Sequence, residues 1–181
     1  MNGNQTRSHA LEIATGSMIA ALYVVLTYVA NALGLASGAI QIRISESLTI
    51  LPVLMGSAIP GLAIGCVLAN LLTGCAALDV VFGSLATLIG ALGTRALRKQ
   101  PKLAWLPPVI SNMLIVPLVL IYVYQVPDVS VTIPFVNKTL IGSGFLPLMI
   151  TVGIGEVISC GLLGMLVYKA AQKAGIQKYV K

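Results

Sequence analysis

Residues 10–33 read ALEIATGSMIAALYVVLTYVANAL, and the reading of this stretch decides the fold. At ~1.5 Å per residue, a helix of roughly 24 residues crosses a ~30 Å hydrocarbon core. Asn31 and Gly34 close it. The rest of the chain has the same character. Of 181 residues, 57% are hydrophobic and 9% charged, with a mean hydropathy of +0.97, whereas soluble domains carry roughly a quarter charged residues. An integral, all-α membrane protein is predicted, with room for about six spans, several of them short, in one unit over residues 1–181 and no separate soluble domain.

The formal charge of +6 invites a nucleic-acid reading, which the distribution argues against. The basic residues sit in hydrophilic gaps and tails: Arg7, then Arg95, Arg98, Lys99 and Lys102, then Lys169, Lys173, Lys178 and Lys181. They read as topology signals facing lipid headgroups, with no nucleic-acid partner. Cys66, Cys75 and Cys160 are scattered through apolar segments without paired spacing, so neither a disulfide framework nor a zinc site is expected. The first apolar run is too long for a cleaved signal peptide and is expected to stay in the bilayer.

Beyond the first helix, the loop GLASGAIQ leads to apolar runs over about 42–59 and 62–72, separated at Pro60 and Gly61, with Pro52 inside the former. Both are short for full spans, so their ends must face protein or water rather than lipid. Further helices are expected over about 78–97, 103–125 and 144–173. The intervening VPDVSVTIPFVNKTLIGS, rich in β-branched residues and proline, reads as a lid-like loop. Six crossings place Arg7, the basic loop after the fourth helix and the C-terminal tail on one side, so both termini are expected in the cytoplasm. Gln41, Arg43, Glu46, Asn70 and Asp79 then gather at the outer end.

Ionisable residues inside a membrane cost about 2.5 to 3.5 kcal/mol each at mid-bilayer, so each needs a partner or a wet cavity. Arg43 and Glu46, three apart in QIRISESL, share a helical face. The plain reading is an ion pair at a helix entrance; the costly desolvation of such a pair argues for a use. Asp79 is either a helix cap or a ligand contact. Glu156, about 13 residues before Lys169, is too deep to snorkel and is the stronger functional candidate. Asn70 and Asn112 are amides able to join helices, and for Asn112 that is the preferred reading. Trp105 reads as an interfacial anchor and His9 as a solvated flank. On the first helix, Gly16, Ser17, Ala20 and Ala21 form two overlapping small-xxx-small steps, which serve either internal packing or a partner subunit. A phosphate-binding Gly-rich loop followed by lysine and a two-histidine metal motif are both missing, so no catalytic residue, metal or cofactor is expected. Nor is an inverted repeat evident.

The segments AALYVVLTYV, AIQIRISESLTILPVL, GCVLANLLTG, LDVVFGSLATLIGAL and GEVISCGLLGML resemble the QueT family of queuosine-precursor importers, over roughly Ala20 to Leu166. That resemblance implies a substrate-binding S component of an energy-coupling factor (ECF) transporter, with a six-helix bundle of the ECF S-component type and a ligand pocket near the outer face. It also implies a transmembrane T subunit and two cytoplasmic ATPases as partners. The family's A-x-x-x-A docking step falls on Ser17 and Ala21, with Gly16 and Ala20 adjacent. The implied cargo is a 7-deazaguanine derivative. One edge of it carries adjacent N–H donors suited to a carboxylate, here Glu156 or Glu46, and beside them a carbonyl suited to Arg, Gln or Asn. Asp79 is a counter-charge for an aminomethyl substituent, and Tyr28, Phe82, Tyr122 or Tyr124 could stack on the ring. The alternatives are another vitamin-like cargo, a stand-alone facilitator or proton-coupled carrier using Glu156, and a structural protein without ligand.

Overall fold

In the computed structural model, which describes residues 3–35, 40–125, 128–133 and 138–176, the first helix, α1 (Gly3–Ala32), begins well before the apolar run. Its polar opening turns continue the helix beyond the stretch His9–Ala32 that is long and apolar enough to cross a membrane. The second expected helix is different in kind. Instead of an α-helix over 42–59, the chain forms a 3₁₀ helix, Ile44–Val53, whose residues from Ser45 onward are buried. Such helices are seldom longer than a few residues. Here Pro52 lacks a backbone donor, and Thr49 Oγ1 donates to the Glu46 carbonyl at 2.6 Å, so side chains compete for the backbone groups an α-helix would use.

The break before the next helix also falls elsewhere than expected. The chain turns at Leu54–Ser57, where Leu54 and Met55 N–H both donate to the Leu51 carbonyl, at 2.8 and 3.0 Å. Helix α2 (Ala58–Leu72) then takes Pro60 and Gly61 into its first turn, where a missing N–H costs nothing. The expectation of a Pro60–Gly61 break is therefore corrected: proline there starts a helix rather than dividing two.

Helix α3 (Ala77–Ala96) carries Asp79 in its first turn and Arg95 in its last, as the helix dipole favours. Helix α4 (Leu106–Tyr122) follows. The stretch expected as an irregular lid pairs as an antiparallel hairpin, β1 (Asp128–Ile133) with β2 (Lys138–Ser143), in the register Asp128↔Ser143 to Ile133↔Lys138. Its β-branched residues suit strands as well as they disfavour a helix. The last helical rod comprises α5 (Phe145–Glu156), a π-helical stretch (Val157–Leu163) and α6 (Gly164–Lys173). Lys178, Lys181 and part of the GLASGAIQ loop lie outside the described residues.

Among the described residues three stretches, His9–Ala32, Ala77–Ala96 and Phe145–Lys173, are long and apolar enough to cross a membrane, and Ile44–Val53, Ala58–Leu72 and Leu106–Tyr122 are shorter apolar helices. The 3₁₀ helix is the centre of the bundle, packed by α1, α2, α3, α6 and the π-helical stretch. Helices α1 and α2 run parallel. Thr15 Oγ1 meets Ser57 Oγ at 2.9 Å near one end, and Tyr28 Oη donates to the Leu72 carbonyl at 2.9 Å near the other. They approach closely because Gly61 lies on Gly16 and Gly65 on Ala20, where a Cβ on Gly65 would sit 2.8 Å from Tyr23 Cβ.

Candidate binding site

The end of the bundle that holds the close of α1, the α2–α3 turn and the end of α4 contains a cavity of about 370 Å³. Gln41, Arg43, Asn70 and Asp79, four of the six residues singled out for a ligand, line it. Each arrives by a different route: Gln41 and Arg43 on the extended segment before the 3₁₀ helix, Asn70 in the last turn of α2, and Asp79 in the first turn of α3. The Arg43 guanidinium donates through Nη2 to Asn70 Oδ1 at 3.1 Å. Asp79 Oδ2 accepts from Tyr124 Oη at 2.8 Å, and the same hydroxyl accepts the Ala76 N–H at 3.2 Å. Of the proposed stacking aromatics, Tyr124 lines the cavity. Phe82 and Tyr122 are exposed on the outside of the bundle, and Tyr28, also exposed, is tied to Leu72.

Glu46 and Glu156 do not line the cavity; they form a second tier inside it, at 0% and 3% exposure. Glu46 Oε1 accepts hydrogen bonds from Tyr23 Oη and, at 3.1 Å, from Thr87 Oγ1. Glu46 Oε2 has no partner among the described residues. Glu156 Oε2 accepts from Cys160 Sγ at 3.2 Å, and Thr49 Oγ1 donates to that sulfur at 3.5 Å. One donor atom from each of Glu46, Glu156 and Cys160 lies within 4.8 Å of the others, close enough to meet on one cation.

The ion pair read between Arg43 and Glu46 is not formed. Among the described residues the one pair within 4 Å is His9 with Glu12, at 3.9 Å on the exposed start of α1. The Arg43 charge faces Glu46 and Glu156 from a greater distance, and its direct contact is the Asn70 amide. The reason is that Arg43 precedes the 3₁₀ helix in extended backbone (φ −95°, ψ 92°), so the two residues do not share a helical face, and the Glu46 side chain turns inward to Tyr23 and Thr87. Two carboxyl groups this close and this deep are costly without compensation, so the site is rich in acceptors and short of donors.

The segment carrying Gln41 is pressed onto α5 at Gly155, where an added Cβ would run into the Gln41 carbonyl. Glycine is required there by close approach alone. The small-residue steps on α1 divide between two faces. Gly16 and Ala20 are buried against α2, which corrects the reading of those two as partner-facing, whereas Ser17 and Ala21 are exposed.

Sequence reading overlooked Tyr23, Thr49 and Cys160 as members of the inner tier. For Tyr23 a signal was present: its hydroxyl lies mid-way along an apolar helix, too deep for the membrane interface where tyrosine usually resides. Cys160 follows Glu156 by four residues, which places the two on one face even of an ordinary helix.

Comparison with known proteins agrees with the pattern of these residues. A family profile described as QueT transporter matches residues 13–173. A curated relative from Lactococcus lactis subsp. cremoris (strain MG1363), named queuosine precursor transporter QueT, is 35% identical over 83 residues, which are 46% of this chain and 48% of that protein. The chain thus spans about half the length of the curated relative it matches. No solved structure matches. With the profile running from the first membrane-length helix to the end of the last, the chain belongs to the QueT transporter family.

Proposed function

We propose that this chain is a multi-pass membrane protein that captures a queuosine precursor of the 7-deazaguanine type at its outer face. In this reading it is the substrate-binding S component of an ECF importer, and a T subunit and two cytoplasmic ATPases supply the driving force. The observation that carries the reading is the two-tier site: a cavity edged by Gln41, Arg43, Asn70 and Asp79 above a buried Glu46 oxygen that has no donor among the described residues. Small-molecule sites run from about 300 to 1,000 Å³, so a cavity of about 370 Å³ suits a single bicyclic heterocycle. Its N–H edge supplies the donors that the acid tier lacks, and its carbonyl can accept from Arg43 or an amide. Asp79 is the counter-charge for a cationic substituent, with Tyr124 beside it as the stacking ring.

The positive-charge distribution supports both termini in the cytoplasm and the cavity outside. The exposed strip at Ser17 and Ala21 is the docking surface for the T subunit, since small side chains allow another helix close approach. Calorimetry of the purified chain against 7-deazaguanines and ordinary purines tests the reading. Saturable binding of the deazaguanines is expected; a chain that ignores them and takes an unrelated vitamin would refute it.

A further inference from the structure

Among the described residues, three buried side-chain polar atoms have no hydrogen-bond partner: Glu46 Oε2, Ser84 Oγ and Asn112 Nδ2. They come from the 3₁₀ helix, α3 and α4, and they converge. Thr87 Oγ1 donates to Glu46 Oε1 at 3.1 Å, and Ser84 lies three residues earlier on the same face of α3, one turn nearer the cavity. Asn112 leans on Glu156 without completing a hydrogen bond through Nδ2, and Glu156 and Glu46 have carboxylate oxygens within 4.8 Å of each other. The cavity wall includes Ser45, the residue immediately before Glu46. The unpartnered atoms therefore sit inward of the cavity, around the acid tier.

Native proteins leave few such groups, because a buried polar atom without a partner has lost its hydration for no return. What these atoms lack is specific. Glu46 Oε2 needs a donor, Asn112 Nδ2 needs an acceptor, and the Ser84 hydroxyl takes either. Nδ2 carries two hydrogens, so tightening one onto Glu156 still leaves the other to give. A donor and an acceptor side by side are what the lactam edge of a 2-amino-6-oxo heterocycle presents.

We propose that Asn112 is a specificity-determining residue of the ligand site, donating to the ring carbonyl of a 7-deazaguanine whose N–H edge is held by the acid tier. This rests on the function proposed above and adds to it a residue that reads the oxo group. Asn112 therefore does more than join helices: it distinguishes a strong ring acceptor from a weak one.

The test uses the full chain in nanodiscs, titrated with 7-deazaguanine and with its 6-thio analogue, which keeps the ring N–H and amino donors but offers sulfur as a poor acceptor. The wild type is expected to favour the oxo form about tenfold, the scale of one well-made hydrogen bond. Asn112→Leu should weaken the oxo form about tenfold and leave the thio form nearly unchanged, bringing the ratio close to one. Asn112→Ser retains a short donor and gives an intermediate ratio, and it serves as the reading if the leucine variant fails to fold. A wild-type ratio near one, or a ratio untouched by either variant, overturns the proposal and leaves trapped water as the partner of these atoms. Wild-type protein that binds neither compound refutes the proposed function and this inference with it.

Discussion

Glu156 is buried beside Glu46 and receives its hydrogen bond from a thiol, a weak donor. Its second oxygen is what a ligand N–H would engage. Glu156→Gln keeps the shape but replaces a carboxyl oxygen with an NH2 that cannot accept from a ligand N–H, so deazaguanine binding should weaken roughly tenfold in Kd by calorimetry, the scale of one well-made hydrogen bond. Unchanged affinity would remove Glu156 from the site. Gly155→Ala probes the neighbouring position by sterics alone. Its Cβ meets the Gln41 carbonyl, and overpacking of this kind costs about 1 to 3 kcal/mol, visible as a lower Tm and, because Gln41 lines the cavity, as weaker binding. At this scale much of the site was legible in the sequence. Gln41, Arg43, Asn70 and Asp79 stood out because polarity in an oily chain is expensive, and the structure gathers them at one cavity. The division into two tiers was not legible, because the depth of Glu46 relative to Arg43 follows from the change from extended backbone at Arg43 to helix at Ile44, which residue types do not announce.

Helix α1 presents one small-residue face inward and another outward. Gly65→Val on the inner seam would drive side-chain atoms into Tyr23 and Ala20 and is expected to destabilise the protein by about 1 to 3 kcal/mol. Ser17→Leu combined with Ala21→Leu, both on the exposed face, should leave Tm and ligand affinity as they are while abolishing co-purification with the proposed T subunit. Loss of ligand binding in that double variant would show the face to be internal. The close of α1 and both ends of α3 and of the last rod could be read from hydropathy, because long apolar runs permit few alternatives, whereas the polar start of α1 at Gly3 could not. The turn between the 3₁₀ helix and α2 could not. Pro60 looked like a breaker, yet proline in a first turn is tolerated, and the actual turn at Leu54–Ser57 is closed by backbone bonds onto Leu51 that leave no compositional trace. The hairpin was missed for a related reason: the β-branched residues of 128–143 excluded a helix but did not specify a strand register.

For the molecule as a whole, the cysteines offer a test of orientation. Cys75 lines the cavity and is partly accessible, whereas Cys66 and Cys160 are buried. A membrane-impermeant maleimide added to intact cells should modify Cys75, and 7-deazaguanine should slow the reaction. Labelling only after permeabilisation would place the cavity on the inner side. Vesicles holding this chain alone should bind ligand without accumulating it, and accumulation would favour a self-sufficient carrier. The π-helical stretch Val157–Leu163 has a consequence for the rod that contains it. Because π turns close at i→i+5, the stretch spends residues that an α-helix would not. Removing a single residue there would scarcely alter hydropathy, but it would swing everything beyond it by about 100°. Met165 and Tyr168, packed around Ala104, would then point away from their neighbours while Glu156 stayed in place. The phase between Glu156 and the basic end of this rod is thus written in residue number rather than in residue type.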